Sequence, residues 1–202
     1  GKLSLNREGS EMRIARKILT LTILLGLLGT CSTSGRWTRE KEIVALQRNG
    51  FTRLPGTGDI WKQDDVVNGK TWYRHPGLAP FPFDFYIGKQ DGEKWMVLSL
   101  WVQDVFPGAK WDAVIFSGRG TIFPIPVLPG DIEWDDEDNS VDAQILVEHK
   151  IAGPLLELFR GTFNVRLHGG ISDHREEIRG CAPCVDLFEF YMALPESPRK
   201  FE

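Results

Sequence analysis

Between residues 94 and 103, Met96, Leu98, Leu100 and Val102 fall on one side of an extended chain, and Trp95, Val97, Ser99 and Trp101 on the other. A strand apolar on both sides belongs at the centre of a two-layer fold or beneath a helix. Alternation recurs around it. Residues 59–63, 71–75 and 83–87 read as short strands, and the turn Gln90-Asp91-Gly92-Glu93 joins the last of these to 94–103 as a hairpin. Further on, 111–117 and 121–127 pair across Gly118-Arg119-Gly120, and Pro124 and Pro126 remove two backbone donors, which places that second strand at a sheet edge. Residues 131–134, 141–147 and 163–168 complete the set, with Phe163, Val165 and Leu167 alternating against Asn164, Arg166 and His168.

Helical patterns are few. In residues 38–49, Thr38 is an N-cap, Glu40 and Glu42 follow in the first turn, and Gly50 stops the helix. Residues 152–159 start near Pro154 and end before Gly161, and residues after Cys184 can form a closing helix. The expectation is a mainly β fold: a single β-sandwich, or a bent barrel, of seven to eight short strands with two or three short helices.

A different pattern precedes this body. Met12 is followed by Arg13, Arg16 and Lys17 and then by an uncharged, mainly apolar run over 18–29. Such a run spans about 18 Å as a helix, short of the ~30 Å hydrocarbon core, so it reads as a signal peptide rather than a permanent membrane span. Residues 1–11 read as an upstream extension, 12–31 as the export signal and 32–202 as one mature β-rich domain. The sequence Leu28-Gly29-Thr30-Cys31-Ser32 resembles the lipobox of bacterial lipoproteins, in which the cysteine becomes the lipidated N-terminus. Thr30 departs from the usual Gly, Ala or Ser before that cysteine. Cleavage a few residues later in 32–34 and an uncleaved anchor are the alternatives, and each places the body outside the cytoplasm.

Charge sharpens this picture. The chain is −4 overall, but residues 1–30 hold five Lys/Arg and two Asp/Glu out of totals of 24 and 28. The body is therefore near −7, which argues against nucleic acid as a partner.

With Cys31 lipidated or removed, Cys181 and Cys184 are left three residues apart in an oxidising compartment, where a disulfide between them is the favoured reading. Cys-Ala-Pro-Cys also resembles the redox dithiol of thioredoxin-like proteins. Those folds continue through several further elements after the motif, whereas only eighteen residues follow Cys184 here. A zinc site needs four ligands, and a second cysteine pair is absent; His168 and His174 could complete one, but nothing in the spacing requires it.

Other chemistry is weakly marked. Asp135, Glu137 and Asp138 could hold Ca²⁺, but the glycine and terminal glutamate of an EF-hand loop are missing, and a solvated hairpin tip is favoured. His168, Asp173 and His174 are candidate hydrolase residues; with no Gly-x-Ser-x-Gly elbow nearby, the two histidines read as exposed loop residues. Trp61, Trp72, Trp95, Trp101, Trp111 and Trp134 offer a ligand platform, with packing beneath the N-terminal helix and loops the favoured alternative. No catalytic set, metal site or cofactor motif is assigned.

The order of features over 94–194, including Pro154-Leu155-Leu156-Glu157-Leu158-Phe159-Arg160-Gly161 and Phe163-Asn164-Val165-Arg166-Leu167-His168-Gly169, resembles uncharacterised secreted proteins and lipoproteins of bacteria with a β-sandwich body. The resemblance implies a fold and a compartment and brings no catalytic residues. The expected function is an envelope-located, non-enzymatic binding or structural protein, attached to the membrane through a lipid anchor and engaging an envelope protein or glycan. The alternative is an envelope thiol–disulfide oxidoreductase.

Overall fold

In the computed structural model, which describes residues 37–102, 111–135, 140–169 and 174–199, the first element is helix α1 (Arg39–Arg48). Thr38 Oγ1 accepts from the Lys41 amide at 3.4 Å and caps it, and Gly50, at φ 79°, turns the chain away. Then come β1 (Thr52–Arg53), β2 (Trp61–Asp65), β3 (Lys70–Arg74), β4 (Asp84–Gln90) and β5 (Glu93–Val102). β6 (Ala113–Gly118) and β7 (Thr121–Pro126) form a hairpin, followed by β8 (Ile132–Asp135) and β9 (Ser140–Val147). Helix α2 (His149–Phe159), β10 (Thr162–His168), β11 (His174–Arg179), helix α3 (Ala182–Ala193) and β12 (Ser197–Pro198) complete the described chain.

The strands form two sheets. The larger has the order β1-β2-β3-β4-β5-β9-β8, with β12 lying parallel to the start of β5; the smaller has the order β11-β10-β6-β7. The mainly β reading with a few short helices holds, with twelve strands among the described residues in place of seven or eight. The strands that fall outside the nine segments read from the alternation are β1, β11 and β12. β1 and β12 are too short to show alternation, and β11 is masked by its charge, His174-Arg175-Glu176-Glu177-Ile178-Arg179. Helix α2 begins one turn before the expected 152–159, with Pro154 inside it; a proline forgoes one intrahelical bond, so its presence mimics a start.

Two tight turns set the hairpins. Asp91 and Gly92 have φ of 51° and 80°, and Arg119 and Gly120 have 50° and 78°. Positive φ at both central residues matches the twist of the flanking strands. β7 lies at the edge of its sheet, as Pro124 and Pro126 require.

One continuous apolar cluster joins the facing sides of both sheets with α2 and α3. Its centre is aromatic: Phe85 of β4 stands 5.9 Å from Phe116 of β6 and 5.0 Å from Phe188 of α3. Phe159 of α2 packs on Phe116 at 5.6 Å and on Phe163 of β10 at 5.1 Å. Mostly edge-on or tilted rings add to the burial of their area. The far side of the large sheet is covered as well. α1 lies there through Leu46, beside Phe51 and Trp61, and farther along Tyr86, Trp95 and Val97 form a separate buried cluster against Trp72. Trp95 lies across Gly88, where an added Cβ would come within 2.3 Å of the ring.

α1 also turns a carboxylate inward. Glu42 accepts from Trp37 Nε1 at 2.8 Å and lies 3.4 Å from Arg74, which is paired with Asp84. Burial pushes the Asp84 carboxyl above its ordinary value despite Arg74. The helix is thus docked by an ion network as much as by its apolar residues.

Candidate functional site

Cys181 is the N-cap of α3, and Pro183 stands in the first turn, where the missing amide costs nothing. The Cys181 Sγ accepts from the Cys184 amide at 3.2 Å. Cys181 and Cys184 are joined as a disulfide, with Cα atoms 5.2 Å apart. Two backbone bonds lock the approach to the motif: Gly180 N donates to Gly161 O at 3.0 Å, and Cys181 N donates to Phe159 O at 2.9 Å. Cys181 is 1% and Cys184 0% exposed, and both belong to the central apolar cluster.

A polar corner surrounds this helix start. The turn after β3, Pro76–Leu78, is capped by His75, whose Nδ1 accepts from the Gly77 amide at 3.0 Å. Gly77 abuts Pro183, and an added Cβ would come within 2.8 Å of its ring. The other imidazole nitrogen, Nε2, lies 3.5 Å from the Asp186 carboxylate in the first two turns of α3. Desolvation pushes the His75 pKa down, against Asp186 and Asp59, so the ring is neutral near pH 7. With Nδ1 accepting, the proton of the neutral ring is on Nε2. No free lone pair is left to take a proton from a substrate.

Asp59 is the second centre of the corner. Arg39 donates to it from Nε at 3.0 Å, Trp61 Nε1 at 3.2 Å, and Arg53 lies 3.2 Å away. Burial acts to raise this carboxyl, but Arg39 and Trp61 outweigh it and hold it below the ordinary value. Beside it the loop with Arg53, Leu54, Pro55, Gly56 and Gly58 lines an open hollow of about 410 Å³. The arginines facing Asp59 are already engaged by it, so the hollow is not an anion cradle. Among the described residues, no three His, Cys, Asp or Glu side chains are grouped to hold a metal ion.

The remaining candidates do not converge here. His168 is exposed at the end of β10. The backbone of His174 opens β11 rather than lying in a loop, because Leu167 pairs with it in register. Asp173, Cys31 and residues 136–139 of the acidic loop lie outside the described residues, as does the 12–31 segment. Trp61, Trp95 and Trp111 are buried, Trp72 is half-buried and Trp101 is exposed, so these tryptophans act mainly as packing.

Sequence reasoning missed His75, Asp59 and Asp186. His-Pro-Gly is a local sign of a capped turn, yet nothing local couples it to a carboxylate in the last helix. It also missed Lys94, which is buried and donates to the Tyr191 and Leu194 carbonyls at 2.9 and 2.6 Å, at the far end of α3. No family model matches the chain, and no curated protein or solved structure matches it.

Proposed function

We propose that the chain is a non-enzymatic binding or structural protein of a bacterial envelope, held at the membrane through a lipid on Cys31. The observation that carries the non-enzymatic reading is the burial of Cys181 and Cys184 within the apolar core. Thiol–disulfide exchange proceeds by attack of an external thiolate on a sulfur atom, and neither sulfur is open to one. The imidazole beside the motif is tied through Nδ1 to a backbone amide and is unsuited to acid–base work. The location is supported by the basic and apolar run over 12–31 and by a disulfide fitted to an oxidising compartment. Partners of this reading are an envelope protein or a glycan; it requires no cofactor and no nucleic acid.

One observation favours the oxidoreductase as a second reading. The first cysteine is the N-cap of a twelve-residue helix, the position at which a helix stabilises a thiolate. The reduction potential separates the two. A value below about −300 mV is expected for a structural bond, whereas one near −120 to −200 mV overturns the first reading and makes Cys181 a nucleophile. Mass spectrometry of the mature N-terminus tests the anchor: a diacylglyceryl-modified Cys31 is expected, and a chain starting beyond residue 31 refutes it.

A further inference from the structure

The small sheet has one face in the core and one in water. Val114, Phe116, Ile125, Phe163, Val165, Leu167 and Ile178 point inward and are buried, while their neighbours in sequence point out. The outward side chains are sorted by strand. On β6 and β7 they include Ile115, Ile122, Pro124 and Pro126, with Ile122 66% exposed; Leu128, just beyond β7, is 61% exposed. On β10 and β11 they include Arg166, Arg175 and Arg179, with Arg166 directly opposite Arg175 and beside Ile115.

This sorting runs against the rest of the molecule. The chain is net acidic, yet among the outward residues of β10 and β11 only Glu177 is a carboxylate, with Asp112 at the border. Arg175 donates to Asn164 at 3.1 Å, and neither it nor Arg179 enters an ion pair among the described residues.

We infer that this face docks on an anionic phospholipid bilayer. Guanidinium groups match phosphate oxygens two at a time, and several basic side chains on one plane meet a charged headgroup layer. The apolar strip decides between a bilayer and a soluble polyanion. Exposed isoleucine, proline and leucine beside the arginines gain nothing from a polysaccharide or nucleic acid, but at a bilayer they enter the boundary beneath the headgroups. This goes beyond the proposed tether, since a lipid on Cys31 would hold the protein near the membrane without orienting it.

The test is partition of the full chain onto vesicles of phosphatidylcholine alone and of phosphatidylcholine mixed with phosphatidylglycerol. Any contribution of the 18–29 segment or of a lipid on Cys31 is common to all variants, so the comparison between variants isolates the sheet face. Replacing Arg175→Gln together with Arg179→Gln is expected to lower binding to the mixed vesicles by about 30-fold, roughly fivefold per arginine, and to leave binding to neutral vesicles unchanged. Ile122→Ser is expected to weaken binding to the mixed vesicles as well. A control, Lys41→Gln with Arg48→Gln on α1, makes the same change in net charge and is expected to have no effect. Thermal unfolding of each variant verifies that it is folded. Equal losses in the control and test pairs overturn the proposal, as does equal binding of the unaltered chain to both vesicle types. Full competition by inorganic polyphosphate with no loss in Ile122→Ser also overturns it, in favour of a soluble polyanion. None of these outcomes depends on whether Cys31 carries a lipid.

Discussion

β5 and β10 each lie between two partner strands, yet they meet their surroundings differently. β5 has the apolar core on one side and, on the other, Trp95 and Val97 packed against Trp72 and Tyr86. β10 buries Phe163, Val165 and Leu167 on one side and leaves Thr162 and His168 exposed on the other. The large sheet is therefore a middle layer, covered by α1 and aromatic packing on its far side, while the small sheet is an outer layer. Burial on both faces makes a strand a structural member. Exposure of one face frees its outward residues from packing, so their identity can answer to something else.

The largest expected effect tests this difference directly. Trp95→Ala should destabilise the fold by about 3–5 kcal/mol, because it empties a packed site lined by Trp72, Gly88 and the Arg199 guanidinium 4.0 Å over the ring. Ile122→Ala on the exposed face should stay within about 0.5 kcal/mol of the parent. Urea denaturation midpoints measure both, and similar costs at the two sites would erase the distinction between the layers.

A middle-sized effect is expected where the large sheet meets α3. Lys94→Met should cost about 1–3 kcal/mol by leaving the Tyr191 and Leu194 carbonyls without their charged donor. Burial pushes the Lys94 pKa below its ordinary value, so desolvation of the amine works against the two carbonyl bonds it makes. If Lys94→Met unfolds at the parent's urea concentration, the amine is not what holds that helix end.

The smallest effect concerns His75. Its folded pKa lies below the ordinary 6.5, so just under that value the folded state binds fewer protons than the unfolded one. Stability should therefore rise with pH across this window and be lost as the pH falls through it. His75→Gln should flatten that slope, read from unfolding midpoints between pH 5 and 7. An unchanged slope would assign the pH dependence to other groups.

Much of the frame was legible because it is local. Asp91-Gly92 and Arg119-Gly120 are turn pairs, Thr38 is a cap, and two prolines in one short strand leave it only an edge. The double-sided pattern of 94–102 foretold a central strand. What escaped depends on partners distant in sequence. β11 is strongly charged along its length, and only its pairing with β10 makes it a strand. His75 meets Asp186, and Lys94 meets Tyr191, through the docking of α3, which no periodicity encodes. The cysteine pair lay between these cases: the spacing pointed to a bond, while its depth of burial came from α2 and α3 closing over it.

The lysine at the end of α3 also has a bearing on timing. Its amine is satisfied by carbonyls of residues 191 and 194, and Arg199 donates its amide to the Lys94 carbonyl while its guanidinium lies over Trp95. Until those late residues emerge, the β4–β5 hairpin has an uncompensated cation at a position that the finished fold desolvates. Early collapse of the first half is thereby discouraged. The centre of the large sheet therefore dries only when residues 191–199 are in place, so the core closes after nearly the whole sequence is available.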